Sequence, residues 1–404
     1  MVGEITRRRM LKTVGATAAV VSSPAIVRSV WAQSEPIRVA MVQDMSKVYG
    51  LIGDLHVKGL KLGFDSVKNE ILGRKIDIVV EDTGADPAVA LSKTKKVMAT
   101  FKPHFFAGPI SSNSYAAIKG VVTRANTIWL TLTQGAGAED TVLPICSRNV
   151  FSLGWNNWQL SAPFAEWAYK HLAKEFWVGY ANYNWGQGAG ATFKAAFEKA
   201  GGKVLGTITP PLGTADYAPF LSQLVAAKPP AFFCFFAGGD AVNFVKQWEK
   251  FGLHKTTKLT GQGFLVGEEV LPAEGDAALG AISVLNWALT LDTPANKIFR
   301  AKFQAKYKAD PAVYALTAYD AAHLIAQSVT TAKSTDSAVL IPVIEKMTLE
   351  SPRGAVKFSR KTHEAVLPYY VREVKRVDGK LTNAVIANLP IVETPAKACD
   401  LTRS

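Results

Sequence analysis

The stretch Gly108-Pro109-Ile110-Ser111-Ser112-Asn113-Ser114 is the part of this chain best fitted for chemistry. It follows an apolar run ending at Ala107 and opens a helical pattern, so its N–H groups and the hydroxyls of Ser111 and Ser112 can hold a carboxylate or another anion. The alternative is that one of these serines caps the helix. Thr131-Leu132-Thr133-Gln134-Gly135 ends the next apolar run, and two adjacent polar strand ends converge on one crevice in an α/β sheet, which makes Thr133 and Gln134 candidates. A third stretch, Asn182 to Gly188, sets Trp185 among glycines, with Trp155, Asn156, Asn157 and Trp158 upstream. Aromatics so placed suit a lid that stacks on a ligand, or equally an exposed turn anchored by core tryptophans. In Ala237-Gly238-Gly239-Asp240 the aspartate either faces the cleft or caps the following helix, capping being the commoner role.

Signatures of catalysis are missing. The chain has no G-x-S-x-G elbow, no G-x-x-x-x-G-K-[ST] loop, no G-x-G-x-x-G after its first strand and no H-E-x-x-H. Its histidines (His56, His104, His171, His254, His323, His363) are scattered without ligand-like spacing or a nearby cysteine. No metal and no cofactor are expected, and the pattern favours binding over chemistry.

These stretches need elements to position them. From Ile37 short apolar strands alternate with amphipathic helices: strand Ile37 to Val42, a polar loop to Gly53, helix Leu55 to Asn69, strand Ile76 to Glu81, helix Ala88 to Thr100, strand Pro103 to Ala107, helix Ser112 to Arg124 and strand Thr127 to Thr131. Most strands are continuous β-branched or aromatic runs, as expected when helices cover both sheet faces. After Val150 the pattern restarts with strand Phe176 to Tyr180, a loop over Asn182 to Gly190, helix Ala191 to Ala200, strand Ala231 to Phe236 and strand Lys258 to Thr260. Residues 292–347 read as helical again, and 355–389 as strand and hairpin turning at Asp378-Gly379. The fold class is therefore α/β, with two doubly wound Rossmann-like units in tandem.

The N-terminus carries an address. Arg7-Arg8-Arg9, a short apolar run interrupted by Ser22, Ser23 and Pro24, and a small residue at Ala32 make residues 1–32 a twin-arginine signal peptide rather than a membrane span. Its removal takes five cations (Arg7, Arg8, Arg9, Lys12, Arg28) and one anion (Glu4) from the formal charge of +13, leaving +9. No long Lys/Arg block remains, so nucleic acid is not the expected partner and a solvated surface with mild steering of anions is the better account. Export permits one disulfide among three cysteines. Cys234 lies in an apolar run, whereas Cys146 and Cys399 sit in turn-like surroundings and are paired here as a clip on the C-terminal tail.

Taken together, the order and spacing of Val39 to Gly50, Glu81-Asp82 with Asp86-Pro87, Gly108 to Ser114, Pro210 to Tyr217, Ala237 to Asp240 and Tyr314 to Asp320 carry a resemblance. The chain resembles the type I periplasmic substrate-binding proteins of branched-chain-amino-acid-type ABC transporters, over nearly all of Ile37 to Leu389. That resemblance implies a Venus flytrap: lobe 1 from 36–152 and 285–354, lobe 2 from 153–284 and 355–390, joined by crossing strands, with a tail at 391–404. It implies a periplasmic monomer that closes on one small molecule and presents it to a membrane ABC permease, and it supports the Cys146–Cys399 clip. It places Ser112, Thr133 and Gln134 on the first lobe's side of the ligand, Tyr49 as an aromatic wall and Trp185 as a stacking aromatic from the second lobe.

Relatives that bind amino acids carry a carboxylate after the strand matching Lys258 to Thr260, where it holds the α-ammonium. Here that stretch reads Thr260-Gly261-Gln262-Gly263-Phe264. A buried ammonium without a counter-charge costs several kcal/mol, so the expected ligand is an aromatic or hydrophobic carboxylate walled by Phe264, Trp185, Trp155 and Tyr49. Asp240, Glu268 or Glu269 could still supply the charge for an amino acid. Two further readings stand: a periplasmic enzyme acting on small acids or amides through Ser111 or Ser112, and a sensor lobe serving a membrane receptor.

Overall fold

The computed structural model describes residues 35–133, 145–395 and 399–402, so the leader expected at 1–32 and the candidate Gln134 lie outside the described residues. The first sheet takes β1 (Ile37–Gln43), β2 (Glu70–Ile71), β3 (Arg74–Asp82), β4 (Phe105–Ala107), β5 (Ile128–Thr131) and β6 (Val150–Ser152) in the order β2-β3-β1-β4-β5-β6. Every pairing is parallel except that of the edge strand β2. Helices α1 (Gly50–Asp65), α2 (Pro87–Thr100) and α3 (Ser112–Val122) make the crossovers. Covering on both faces explains why β1, β4 and β5 are apolar at nearly every position.

The chain then passes through α4 (Asn157–His171) into a second sheet. Strands β7 (Glu175–Tyr180), β8 (Lys203–Ile208), β9 (Ala231–Phe235), β10 (Lys258–Gln262) and β11 (Ile282–Leu285) alternate with α5 (Asn184–Lys199), α6 (Ala218–Ala227), α7 (Gly239–Lys250) and the short α8 (Leu271–Glu274). It returns through α9 (Pro294–Tyr307), α10 (Val313–Ala332) and α11 (Ser337–Ile344), of which α10 packs on α1 and α11 on β5 of the first sheet. A small sheet of β12 (Leu349–Ser351), β13 (Gly354–Phe358) and β14 (Ala365–Val366) precedes the hairpin β15 (Tyr369–Val377) and β16 (Lys380–Leu389). That hairpin closes the second sheet, whose order is β16-β15-β11-β10-β9-β7-β8. Its turn is Asp378-Gly379, both residues at positive φ (49° and 78°), the geometry that a two-residue hairpin loop requires. The fold is thus mixed α/β with two lobes, each built on a mainly parallel sheet. Among the described residues no helix is long and apolar enough to cross a membrane.

Two helices begin earlier than the sequence suggests. α1 starts at Gly50 instead of Leu55, and α5 starts at Asn184, so the expected loop over Asn182 to Gly190 is mostly helix. Glycine lowers helix propensity by about 1 kcal/mol, which is why Trp185-Gly186-Gln187-Gly188 reads as a loop. Packing overrides it: a Cβ at Gly186 would lie 2.0 Å from the Ala181 carbonyl oxygen, so only glycine lets α5 sit this close to the end of β7.

A disulfide joins Cys146 and Cys399, with their Cα atoms 5.3 Å apart, while Cys234 is buried and free in β9. Where the chain passes between the sheets, a fully buried ion pair holds it: Arg353 Nη2 donates to Asp320 Oδ2 at 2.9 Å and to the Leu153 carbonyl at 2.8 Å. Burial pushes the Asp320 carboxyl up to about 6, against the opposing pull of Arg353 and of Ser351 Oγ. Because this folded value lies above the ordinary aspartate value, the contribution of Asp320 is full below pH 4 and is lost as pH rises through about 6. Removing one partner of such a pair costs about 3–5 kcal/mol. Arg353→Met is therefore expected to lose stability of that order in urea unfolding at pH 7.5, and less at pH 5, where Asp320 takes up its proton. An equal loss at both pH values would show that the charge of Asp320 is not what Arg353 balances.

Candidate functional site

The carboxyl ends of the two sheets' strands face one small, closed chamber of about 30 Å³. The first lobe lends it Tyr49, Ile52, Ile110, Thr133 and Tyr314; Trp155, Tyr183, Trp185, Phe235, Ala237 and Phe264 complete the lining. Among the described residues no charged side chain belongs to this wall. The rings pack on one another, Trp155 against Phe264 with centroids 4.9 Å apart and Phe264 against Phe235 and Tyr314 at 6.0 and 5.9 Å. Tyr49 and Tyr183 are hydrogen bonded through their hydroxyls, and burial raises both phenols.

The glycine-serine stretch before α3 is built differently from its sequence reading. Neither Ser111 nor Ser112 caps the helix with its side chain. The Ile110 and Ser111 N–H groups donate to Asp44 Oδ2 at 3.0 and 2.6 Å, so part of the expected anion nest is already filled by a carboxylate of the protein. The other oxygen of Asp44 accepts from Ala85 N and from the Thr83 hydroxyl. The N–H groups of residues 112–114 remain as the helix start, without partners inside α3. Ser112 Oγ accepts the backbone N–H of Trp185 at 3.1 Å, a hydrogen bond between α3 of the first lobe and α5 of the second. Thr133 Oγ1 lies 3.5 Å from the Ile110 carbonyl, at the limit of a hydrogen bond.

Gln262 does not line the chamber. It is fully buried behind Trp185, whose indole N–H donates to its Oε1 at 3.0 Å. Asp240 is likewise behind the wall, and neither capping nor the chamber accounts for its contacts: its Oδ2 accepts from Gly213 N at 3.0 Å, and burial pushes its carboxyl up to about 6. Gly238 at the start of α7 has φ of +58°, and a Cβ there would meet the Val48 carbonyl oxygen at 2.4 Å, so glycine alone permits this approach of the second lobe to the first. Glu268 and Glu269 open onto a separate groove with Arg376 and Asn383, not onto the chamber. Burial pushes Glu269 up to about 8.

Of the residues singled out in the sequence, Tyr49, Thr133, Trp155, Trp185 and Phe264 meet in the lining, and Ser112 joins them through Trp185. Tyr183 and Ala237 fall inside stretches read there as strand ends. Tyr314 begins a helix and Phe235 ends an apolar strand, positions with no local polar signal. No histidine is hydrogen bonded to Ser111 or Ser112, and among the described residues no group of His, Cys, Asp or Glu could hold a metal ion.

Comparison with known proteins places this geometry. The model of a family described as periplasmic binding protein matches residues 36–380. A protein of Brucella melitensis named Leu/Ile/Val-binding protein homolog 6 is 26% identical over 357 residues, covering 86% of this chain and 90% of its own length. A solute-binding protein of an ABC transporter from Rhodopseudomonas palustris BisB5, solved with 3,4-dihydroxybenzoic acid, is 27% identical with a TM-score of 0.84, covering 90% of this chain and 99% of its own. Another from R. palustris, solved with benzoate, is 28% identical with a TM-score of 0.81, covering 89% and 99%.

Loss of the inter-lobe hydrogen bond has a measurable consequence. A net hydrogen bond contributes about 1 kcal/mol, so Ser112→Ala is expected to shift the ligand-free protein toward a more open form with a larger radius of gyration in solution scattering. Scattering identical to that of the unsubstituted protein would show that Ser112 does not hold the lobes together.

Proposed function

The chain belongs to the periplasmic binding protein family, and from that premise we propose that it captures a small aromatic or hydrophobic carboxylate between its lobes and delivers it to an ABC permease. One observation carries the choice of ligand: the chamber is walled by aromatic rings and, among the described residues, holds no charged side chain. An ammonium enclosed there would lack a counter-charge, at a cost of several kcal/mol. A ring would find faces on several sides, and its carboxylate would find the N–H groups at the start of α3 with the Ser112 and Thr133 hydroxyls. Relatives solved with benzoate and with 3,4-dihydroxybenzoic acid support this reading.

In this reading Tyr49, Ser111, Ser112, Thr133, Trp155, Trp185 and Phe264 touch or frame the ligand, and the protein performs no chemistry on it. The moving bodies are 36–152 with 285–354 and 153–284 with 355–390, the tail at 391–404 is clipped at Cys146, and the working form is a monomer. Amino-acid binding is the second reading, favoured by the names of relatives such as the Brucella melitensis protein. It requires a carboxylate that Asp240, Glu268 and Glu269 supply only if the walls rearrange.

Tryptophan fluorescence and thermal melting against two panels separate the readings. Benzoate and its hydroxylated forms at about a hundred times Kd should add roughly 2.7 kcal/mol and raise the midpoint by several degrees, with leucine, isoleucine, valine and phenylalanine inert. A response to the amino acids alone overturns the carboxylate reading.

Twin-arginine export is part of the same proposal, resting on Arg7-Arg8-Arg9 ahead of the apolar run. Replacing all three arginines by lysine should leave the precursor in the cytoplasm. Undiminished appearance of the protein in the periplasm would assign export to another route.

A further inference from the structure

Each polar group of Trp185 already has a partner within the protein. Its backbone N–H donates to Ser112 Oγ at 3.1 Å, its carbonyl accepts from Asn157 Nδ2 at 3.1 Å, and its indole N–H donates to Gln262 Oε1 at 3.0 Å. Gln262 is equally committed. Its Nε2 donates to Asn157 Oδ1 at 2.9 Å and to Ser161 Oγ at 3.0 Å, so both amide hydrogens and the amide oxygen are placed. The indole N–H is only a donor, so the atom facing it must be the amide oxygen, and this fixes which way the amide points. Asn157 closes the ring by gripping both Gln262 and the Trp185 backbone. Gln262, Asn157 and Ser161 are each nearly or fully buried.

We propose that Gln262 is a positioning residue that sets the selectivity of the chamber: by holding the Trp185 indole through its N–H, it leaves that wall offering the ligand a ring face, with neither a charge nor a hydrogen bond. A carboxylate at this position could still accept the indole N–H but could not donate to Asn157 Oδ1, and it would bring a negative charge into the interior beside the ligand. An apolar side chain would strand the indole N–H, the Asn157 oxygen and the Ser161 hydroxyl together. The amide alone satisfies donor and acceptors while staying neutral. The selectivity part of this inference rests on the carboxylate reading above; the hold on Trp185 does not.

The test uses Gln262→Met and Gln262→Glu in the purified protein, with benzoate and benzylammonium as probes that share a ring and differ in charge. In the ligand-free protein the Trp185 indole N–H resonance, assigned through Trp185→Phe, should exchange with solvent slowly. In Gln262→Met its exchange should accelerate at least tenfold and benzoate should bind about tenfold more weakly. Gln262→Glu should keep the slow exchange, because an acceptor remains, yet bind benzoate at least tenfold more weakly and narrow the preference over benzylammonium. If Gln262→Met does not fold, the Gln262→Glu pattern of preserved exchange with altered preference decides. Exchange and benzoate affinity within twofold of the unsubstituted protein in both variants overturn the proposal. If the unsubstituted protein ignores benzoate, the carboxylate reading and the selectivity assigned to Gln262 fall together, while the indole exchange still decides whether Gln262 holds Trp185.

Discussion

Asp44 is the constraint on which the site depends. It is a fully buried carboxylate at the end of β1, and it accepts from the Thr83 hydroxyl and from the N–H groups of Ala85, Ile110 and Ser111. An isolated charge there would be prohibitive, whereas one ringed by donors is held strongly. The ring ties the ends of β1, β3 and β4 together and fixes where α3 begins. That start places Ser112 Oγ against Trp185 N, Trp185 against Gln262, and Gln262 against Asn157 and Ser161 of α4. A run of hydrogen bonds and short chain segments therefore reaches from the carboxyl end of one sheet to a helix packed on the other, and the chamber lies beside it.

This arrangement divides the work between two kinds of surface. Polar groups that could compete for a ligand are satisfied within the walls, so the lining presents mainly carbon. Burial of apolar area contributes roughly 25 cal/mol per Å², so a ring enclosed on several sides gains from every face it covers. The carboxyl groups that lie near the chamber stand behind it. Asp240 is turned to Gly213, and burial pushes the Glu269 carboxyl up to about 8.

Much of the fold was legible in the sequence because its signals are local. Continuous apolar runs such as Phe232 to Phe236 mark covered strands, and Asp378-Gly379 marks a hairpin whose positive φ angles only such residues adopt readily. The site was legible where a polar or aromatic residue follows a strand, as Thr133 and Trp185 do. It was not legible where the partner comes from far along the chain. Asp44 meets Ser111 across 67 residues, and Gln262 meets Trp185 across 77. Nothing near Gln262 in the sequence distinguishes a residue facing the ligand from one standing behind a tryptophan. The early start of α5 was hidden for the same reason, since the contact of Gly186 with Ala181 exists only once β7 and α5 have packed.

The tail adds a constraint that the sheets do not provide. It leaves β16 in the second sheet, where Thr394 Oγ1 accepts from Asn156 Nδ2 at 2.8 Å at the entrance to α4, and Asn156 also holds Glu364 on the returning strand at 2.9 Å. It then reaches Cys399, bonded to Cys146 just before β6 of the first sheet. The loop so closed spans 253 residues, and chain entropy places such a cross-link near ~5 kcal/mol, the top of the usual range. The connection runs between the same two bodies that the crossing segments join, and it crosses beside Asn156, where those segments meet. Asn156 thus holds the tail and the segment of Glu364 together at the entrance to α4, and the disulfide carries that hold on to the first sheet.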